Sequence, residues 1–219
     1  RGDGLGLDRV FEEVVFEHGL PELIRAGYLV GLRGFRITTS SDLKSLAKPG
    51  ASASSASFAS SASFGQTNLW DPGGAGDFEL DALAEAVDVT ERNGLVARSI
   101  QELARERRTI VFCVNVAHAQ SLAKALRELG VRAAPVHGKL DASERASRLA
   151  DFAAGKLQAI TNVAVLTEGF DDPGVGCVAM ARPTRSSGLY AQCVGRGTRL
   201  AQASATASCS TSSTSAASR

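Results

Sequence analysis

The feature that most constrains the fold is a regular alternation of short apolar segments with longer amphipathic ones between residues 109 and 162. The apolar segments cover 109–114, 132–136 and 157–162, and the amphipathic segments cover 116–129 and 142–154. Strands that are apolar almost throughout, joined by amphipathic helices, are typical of a parallel sheet covered on both faces. The alternation therefore predicts an open α/β domain, with parallel strands in one sheet and helices on both of its faces.

Signals at the ends of the helices support this interpretation. Gly130 and Gly155 stand where helix C-caps belong, and Asp141 and Glu144 form a D-x-x-E capping pattern for the second helix. Ligands of an open α/β sheet bind at the carboxyl ends of its strands, so we expect the site at that edge. Further elements extend the unit on both sides: helices over 79–86 and 91–106, a strand over 175–181 and a short helix over 189–194.

The 219 residues divide by composition into four parts. Residues 49–76 and 201–219 are rich in small and hydroxyl side chains, and such segments bury too little apolar surface to offset the entropy of ordering. We therefore expect a disordered low-complexity insertion at 49–76 and a disordered tail at 201–219. Residues 77–200 hold the α/β unit. Residues 1–48 mix short signals, including a helix that ends in Gly27 and a strand-like segment at 35–39.

Composition and cysteine usage exclude several classes of protein. No apolar run approaches the roughly 20 residues that a bilayer span needs, so we expect no membrane association. The formal net charge of +1 gives no global attraction to nucleic acid, so any such binding must come from a local patch. The cysteines show neither C-x-x-C pairing nor a histidine spacing for zinc: Cys113, Cys177, Cys193 and Cys209. This pattern predicts no metal site and a reducing, intracellular compartment.

Residues 192–199, Q-C-V-G-R-G-T-R, have the residue types of a phosphate clamp. Arg196 and Arg199 stand three positions apart beside Gly195 and Gly197, which let a ligand approach the backbone closely. The arginine side chain presents a planar fork of donors that stays protonated, so it can neutralise charge on a transferring phosphoryl group. Taken alone, the segment is more typical of a solvated basic loop.

Residues 167–173, T-E-G-F-D-D-P, place Asp171 and Asp172 on a turn that Pro173 closes. An acidic side chain there can accept a hydrogen bond from a ribose hydroxyl, or it can simply bond to the backbone of its own turn. Arg182 and Arg185 flank Pro183 further along the chain. They form either a second phosphate patch or a solvated loop.

Together these segments resemble the motifs of superfamily 2 helicases. Residues 167–171 and 192–199 are similar to motifs V and VI, T-I-V-F-C-V-N at 109–115 to motif IV, and V-H-G at 136–138 to motif IVa. The variant is similar to the branch of type III restriction subunits and the mitochondrial branched-DNA helicases of yeast. The resemblance implies that 77–200 is a C-terminal RecA-like domain and that 1–48 is the tail of a first one, with a longer link at 49–76 than the family has.

The resemblance also implies an ATP site between two RecA-like domains. Arg199 is the expected arginine finger, with Arg196 as its partner, and Asp171 is the expected contact to the ribose. The other residues of the expected ATP-binding set are Gln192, Gly169 and Gly195.

Nucleic acid is expected at the junctions from strand to helix, where backbone amides and small polar side chains meet phosphate. Val163 stands where many superfamily 2 members have a threonine, which removes one phosphate contact from the family's set. The candidates for the nucleic-acid contacts are Asn115, His118, His137, Gly138, Lys139, Thr167 and Glu168. His118 and His137 are equally compatible with a residue that only starts a helix or forms a turn.

The sequence is therefore interpreted as the C-terminal part of an ATP-dependent helicase or translocase that acts on nucleic acid, with DNA favoured over RNA. It contains neither G-x-x-x-x-G-K-[ST] nor an Asp-Glu-x-x box, so we expect the Mg²⁺ ligands in a missing first domain in cis and no ATP hydrolysis by this chain alone. One alternative is a non-catalytic nucleic-acid-binding or scaffold protein that retains a single RecA-like domain. The tripeptide at 1–3, R-G-D, raises an adhesion function, which would require secretion.

Overall fold

A computed structural model of the protein describes residues 19–39, 80–163, 165–166, 170–184, 186–199 and 206–213. The insertion at 49–76, the tripeptide at 1–3, Thr167, Glu168, Gly169 and Arg185 lie outside these residues. The elements follow in the order α1 (Leu20–Arg25), β1 (Gly31–Thr38), α2 (Leu80–Val87), α3 (Thr90–Ala104), β2 (Arg108–Phe112), α4 (Val116–Glu128), β3 (Ala133–Val136), α5 (Ala142–Ala153), β4 (Ala159–Asn162), β5 (Val175–Met180), α6 (Ser187–Gly195) and β6 (Thr206–Ser213).

The strands form one parallel sheet in the order β1-β6-β5-β2-β4-β3. Successive side chains of a strand point to opposite faces, and in β2 Ile110 and Phe112 belong to one buried cluster while Val111 belongs to the other. Because both faces of β2 are buried, its residues from Ile110 to Phe112 are all apolar, as the alternation predicts. The predicted open α/β sheet is confirmed.

Helices cover both faces of this sheet. On one face, α3 contributes Val96 and Ile100 and α4 contributes Leu122 and Leu126 to a cluster with β2 and β5. On the other face, Phe152 of α5 and two residues of α6, Cys193 and Val194, pack against the strands. Among the residues that the structure describes, no helix is both long enough and apolar enough to cross a membrane.

The predicted helix ends are correct at the C-termini and wrong at one N-terminus. Gly130 and Gly155 have φ angles of 81° and 74°, the left-handed conformation that favours glycine after a helix. Asp141 is the N-cap residue of α5, but its side chain makes no capping hydrogen bond. The carboxylate of Glu144 instead pairs with Arg148 at 2.5 Å, one turn along the same helix, so the D-x-x-E pattern does not form a capping box.

The structure differs from the expected domain limits at both ends of the chain. Gly31–Thr38 was expected in the tail of a preceding domain, and 201–219 was expected to be disordered. Instead β1 pairs along its whole length with β6, and β6 also pairs with β5. Backbone hydrogen bonds to β1 on one side and to β5 on the other hold 206–213 in the sheet. Both segments therefore belong to the same sheet as β2–β5.

The parallel arrangement gives the sheet two distinct edges. The carboxyl edge lies where the strands end, and the residues that follow β2 and β3 lie there, including Asn115 and His137. The amino edge lies where the strands begin, and the segments that lead into β5 and towards β6 lie there, including Asp171 and Arg199. The two groups of predicted site residues thus lie at opposite edges of one sheet.

Candidate functional site

The amino edge brings the segments that resemble motifs V and VI into contact. The Arg196 side chain donates an Nη1 hydrogen bond to the carbonyl oxygen of Phe170 at 2.6 Å. The Arg199 Nε lies 3.5 Å from the Asp171 Oδ1. Two consecutive residues of the motif V turn therefore each contact one of the two arginines of motif VI. Phe170 and Arg196 are 26 positions apart in the chain.

The segment that carries these arginines is held on both sides. The helix α6 begins with a cap, since the Ser186 Oγ accepts a hydrogen bond from the Leu189 amide at 3.2 Å. After the helix ends, the Thr198 Oγ1 donates to the Gly195 carbonyl at 2.9 Å. The Thr198 carbonyl then accepts from the Val30 amide, just before β1, at 3.1 Å. The backbone around Arg199 is consequently fixed by its neighbours in space.

The outer groups of this site remain accessible. The side chains of Arg199 and Asp171 are 48% and 61% exposed, whereas Arg196 is only partly exposed. An exposed guanidinium and an exposed carboxylate side by side can contact a phosphate and a sugar hydroxyl of the same ligand. Arg196 holds the turn, and Arg199 and Asp171 face outward.

The remaining residues of the expected ATP set divide into two groups. Gln192 is exposed on α6, and a Cβ added to Gly195 would meet no atom within 4 Å, so there is open space beside that glycine. Gly169 lies outside the residues that the structure describes. The expectation that ligands gather at the carboxyl ends of the strands does not fit this group, because the turn and the end of α6 both lie at the amino edge.

Sequence reasoning missed an ion pair beside the site. Arg108, the first residue of β2, binds both carboxylate oxygens of Asp172, at 2.6 Å and 2.9 Å. Both side chains are largely buried, with 21% and 12% of their surfaces exposed. Arg108 and Asp172 are 64 positions apart, and no local pattern links them. Asp172 is therefore a structural carboxylate, in contrast to its neighbour Asp171.

At the carboxyl edge, Asn115 and His118 serve the start of α4. The Asn115 Oδ1 accepts a hydrogen bond from the His118 amide at 2.9 Å, which is an N-cap interaction. The His118 side chain is 0% exposed, and its Nδ1 accepts from the Val114 amide at 3.3 Å. Burial, with the positive charge of Arg92 nearby, lowers the pKa of His118 to about 4, while the Asp88 carboxylate opposes this shift. The expected contact of His118 with nucleic acid does not fit this geometry, because a neutral imidazole fills the core.

The surroundings of Asn115 are acidic. A pocket of about 440 Å³ is lined by Asp81, Ala84, Glu85, Asp88 and Asn115. The Asp88 carboxylate accepts hydrogen bonds from Asn93 at 2.7 Å and from Ser121 at 3.3 Å. Carboxylates on this side repel a phosphate, so the expected role of Asn115 as a phosphate contact does not fit its environment.

The residues of the turn after β3 differ in their exposure to solvent. His137 is 5% exposed, and its pKa is lowered by burial and by the nearby charge of Arg148, with Glu144 opposing this and Lys139 adding to it. Gly138 and Lys139 are exposed. A nucleic acid at this edge can therefore reach the backbone of Gly138 and the ammonium of Lys139, whereas the imidazole of His137 lies beneath them.

Across the described parts of the chain, no group of three or more His, Cys, Asp or Glu side chains is arranged to hold a metal ion. The buried thiols of Cys113, Cys177 and Cys193 lie in the two core clusters. Burial raises the pKa of the Cys113 thiol well above its ordinary value.

Comparison with known proteins gives the chain a family. Residues 82–201 match the family "Helicase conserved C-terminal domain". The chain is 26% identical over 203 residues to the putative ATP-dependent helicase IRC3 of Saccharomyces cerevisiae, which covers 91% of the chain and 26% of that protein. It is 31% identical over 201 residues to the putative mitochondrial ATP-dependent helicase irc3 of Schizosaccharomyces pombe, covering 91% and 29%. The chain thus spans little more than a quarter of the length of these two relatives.

The chain is similar to a solved structure of Saccharomyces cerevisiae Dbp5 bound to RNA and ADP BeF₃, with a TM-score of 0.49 and 21% identity. The alignment covers 58% of the chain and 33% of the Dbp5 chain. The family match covers the α/β unit from α2 to the end of motif VI and includes every motif that carries the resemblance. The chain therefore belongs to the helicase conserved C-terminal domain family, and it is a RecA-like domain related to the ATP-dependent helicases of superfamily 2.

Proposed function

We propose that the chain is the second RecA-like half of an ATP-dependent nucleic-acid helicase or translocase, and that its amino edge completes an ATP site between two domains. The observation that carries this proposal is the contact between motifs V and VI. Arg199 and Asp171 lie side by side and exposed, with Nε and Oδ1 3.5 Å apart, on two segments that hydrogen bonds hold in place.

The roles follow from the two kinds of side chain. The fork of Arg199 is placed to neutralise charge on the γ-phosphate, and the carboxylate of Asp171 to accept a hydrogen bond from a ribose hydroxyl. Arg196, bound to the Phe170 carbonyl, keeps the two segments together and adds positive charge behind the finger. Gln192, Gly195 and Gly169 complete the proposed ATP-binding set through their positions on the same two segments.

Hydrolysis in this proposal needs a second RecA-like domain in cis that carries a G-x-x-x-x-G-K-[ST] loop and the carboxylates for Mg²⁺. The described residues of this chain fit the phosphate and ribose of ATP, and they include no cluster suited to the metal. ATP with Mg²⁺ supplies the phosphoryl group whose transfer drives the cycle. We therefore propose that this chain alone does not hydrolyse ATP.

Nucleic acid is assigned to the opposite, carboxyl edge. Gly138 and Lys139 are exposed there after β3, and Thr167 and Glu168 of motif V join them in the proposal. DNA is favoured over RNA because of the resemblance to the type III restriction and mitochondrial branched-DNA branch. The intracellular compartment predicted from the cysteines belongs to the same proposal, and the relative from S. pombe has the word mitochondrial in its name.

The second candidate is a non-catalytic nucleic-acid-binding or scaffold protein with one RecA-like domain. The observation that favours it is that the 219 residues contain motifs IV to VI without a phosphate-cradling loop. The two functions differ in the role of the exposed Arg199. A scaffold does not hydrolyse ATP and needs no arginine finger, so replacement of Arg199 would leave its binding function unchanged.

Arg199→Ala tests the proposal in the intact protein that carries this chain. We expect the ATPase rate stimulated by nucleic acid to fall by about 10³-fold, the lower part of the range for arginine fingers, while nucleic-acid affinity stays within about twofold. Arg98→Ala is the matched control, because Arg98 is an exposed arginine in the middle of α3. Turnover in the Arg199→Ala protein equal to that of the Arg98→Ala protein would reject the finger and favour the scaffold.

A further inference from the structure

Three consecutive residues of the motif V turn each contact a different arginine. The Phe170 carbonyl accepts from Arg196, and the Asp171 carboxylate lies beside Arg199. The Asp172 carboxylate binds Arg108 through two hydrogen bonds. Arg196 and Arg199 belong to the segment that resembles motif VI. Arg108 belongs to none of the motifs that carry the proposed ATP contacts, and its function is therefore unassigned.

Arg108 is also held by contacts other than those with Asp172. Its Nη1 also donates to the carbonyl oxygens of Phe152 and Ala153, at 3.2 Å and 3.1 Å, where α5 ends. Its guanidinium lies over the Phe152 ring, 5.5 Å from the centroid, and the Phe152 side chain is fully buried. Carbonyls at the end of a helix and the face of an aromatic ring both favour a cation. The guanidinium is thus anchored to the core, and its Nη1 and Nη2 also donate to the two carboxylate oxygens of Asp172.

The turn is shaped around this guanidinium. The Asp172 Oδ1 accepts from the Gly174 amide at 2.9 Å as well as from Arg108, and the Asp172 carbonyl accepts from the Val175 amide at 3.2 Å. A Cβ added to Gly174 would lie 1.2 Å from the Arg108 Nη2 and 2.4 Å from its Cζ. Glycine at position 174 therefore leaves the space that the guanidinium occupies.

The side-chain contact between Asp171 and Arg199 is weaker than the one between Arg108 and Asp172. Its 3.5 Å contact joins two exposed side chains, and exposed ion pairs contribute little to fixing a geometry. Asp172, the next residue along the chain, is bound bidentately and is largely buried. The position of Asp171 is therefore set through the backbone by the anchored neighbour.

We propose that Arg108 is a positioning residue, which together with Asp172 holds the turn that presents Asp171 to Arg199 and to the nucleotide. The nucleotide part of this inference rests on the proposed function. The positioning itself concerns this chain's own residues and can be measured without ATP.

The first experiment measures the geometry in the chain by NMR, with the Nε–Hε resonance of Arg199 as the probe. Asp172→Asn keeps the shape of the side chain and removes its charge, and Arg108→Lys keeps the charge and removes the fork. We expect the Arg199 resonance to shift in both variants. Asp151→Asn is the control, since it removes an exposed ion pair with Lys156 near the end of α5 and leaves the turn alone. A resonance unchanged in both Asp172→Asn and Arg108→Lys would overturn the inference.

The second experiment separates positioning from general destabilisation in the intact protein. Asp171→Asn and Asp172→Asn are expected each to lower kcat of the stimulated ATPase about tenfold, because a displacement of about 1 Å can cost up to 10²-fold. If Asp172 acts through Asp171, the double variant should fall no more than about threefold below the weaker single variant. Losses that multiply to about 10² would mean an independent structural effect and would overturn the inference.

The two proposals fail in different ways. An ATPase that Asp171→Asn leaves unchanged would remove the nucleotide role from the proposed function, and the Arg199 resonance would still decide whether Arg108 and Asp172 position the turn. A shifted resonance with an unchanged ATPase supports the positioning and rejects the nucleotide role. Thermal unfolding curves that show each single variant fully folded at the assay temperature establish that folded chains are being compared.

Discussion

The polar side chains at the two edges of the sheet differ in burial and in pairing. Two ion pairs at the amino edge differ in burial. Asp172 is largely buried and is bound by Arg108, whereas Asp171 is exposed beside Arg199. At the carboxyl edge, the side chains of His118 and His137 are buried, and within the described residues His118 Nε2 and His137 Nδ1 have no hydrogen-bond partner.

The difference follows from the cost of burying each group. A guanidinium keeps its charge, so it is buried only with a partner of opposite charge or with several hydrogen bonds. An imidazole can lose its proton and enter the core as a neutral ring, at the cost of a lowered pKa. Charged motif residues therefore remain available for a ligand at the amino edge, whereas the histidines at the carboxyl edge support the fold and leave the surface to Gly138 and Lys139.

The largest expected effect tests the buried histidine. The pKa of His118 is about 4 in the folded chain and 6.5 in an unfolded one, so the unfolded state binds the proton first as the pH falls. The stabilisation from the neutral ring is complete above pH 6.5 and is lost as the pH falls towards 4, by on the order of 3 kcal/mol in the limit. Urea unfolding of the wild type at pH 7 and pH 4.5 measures this loss.

His118→Gln is the variant that isolates the effect, since glutamine keeps an acceptor for the Val114 amide and does not titrate in this range. The difference in unfolding free energy between wild type and variant should shrink as the pH falls, because carboxylate titrations are common to both. A difference that stays constant between pH 7 and pH 4.5 would show that His118 is protonated as easily as a surface histidine, and it would remove the contrast between the edges.

A smaller effect tests the anchored pair at the amino edge. Gly174→Ala places a Cβ where the Arg108 guanidinium lies, so the side chain must move, and we expect its two hydrogen bonds to Asp172 to break. Loss of such charge-assisted bonds should lower the unfolding free energy by about 2 kcal/mol. Gly138→Ala is the matched control at the carboxyl edge, where an added Cβ meets nothing within 4 Å. Equal urea midpoints for the two variants would contradict the space-filling role of Arg108.

The sequence predicted those features that a short window of residues encodes. The strands from β2 to β5 and the helices from α2 to α6 follow from hydrophobic periodicity, and the positive φ of Gly130 and Gly155 follows from their place after a helix. The motif residues themselves, Asp171 and Arg199 among them, were found by their spacing.

The features that the sequence did not predict depend on pairs that are distant in the chain. The membership of β1 and β6 in this sheet joins Gly31 to Thr206, and the small side chains of β6 show no apolar alternation. The pair of Arg108 and Asp172 spans 64 positions. The burial of His118 likewise depends on packing among α3, α4 and β2, since a histidine early in a helix is compatible with either the core or the surface.

The smallest expected effect tests where nucleic acid binds. Lys139 is exposed at the carboxyl edge after β3, and Lys156 is exposed at the amino edge before β4, so the two are the same residue type in the two regions under comparison. If nucleic acid lies along the carboxyl edge, Lys139→Ala should weaken binding of a labelled single strand two- to fivefold, by about 1 kcal/mol or less, and lower the salt slope by about 0.7. Lys156→Ala should leave both unchanged in the same anisotropy titrations over NaCl concentration. Equal losses in the two variants would indicate diffuse electrostatic attraction, and a loss confined to Lys156→Ala would place the nucleic acid at the edge that the proposed function assigns to ATP.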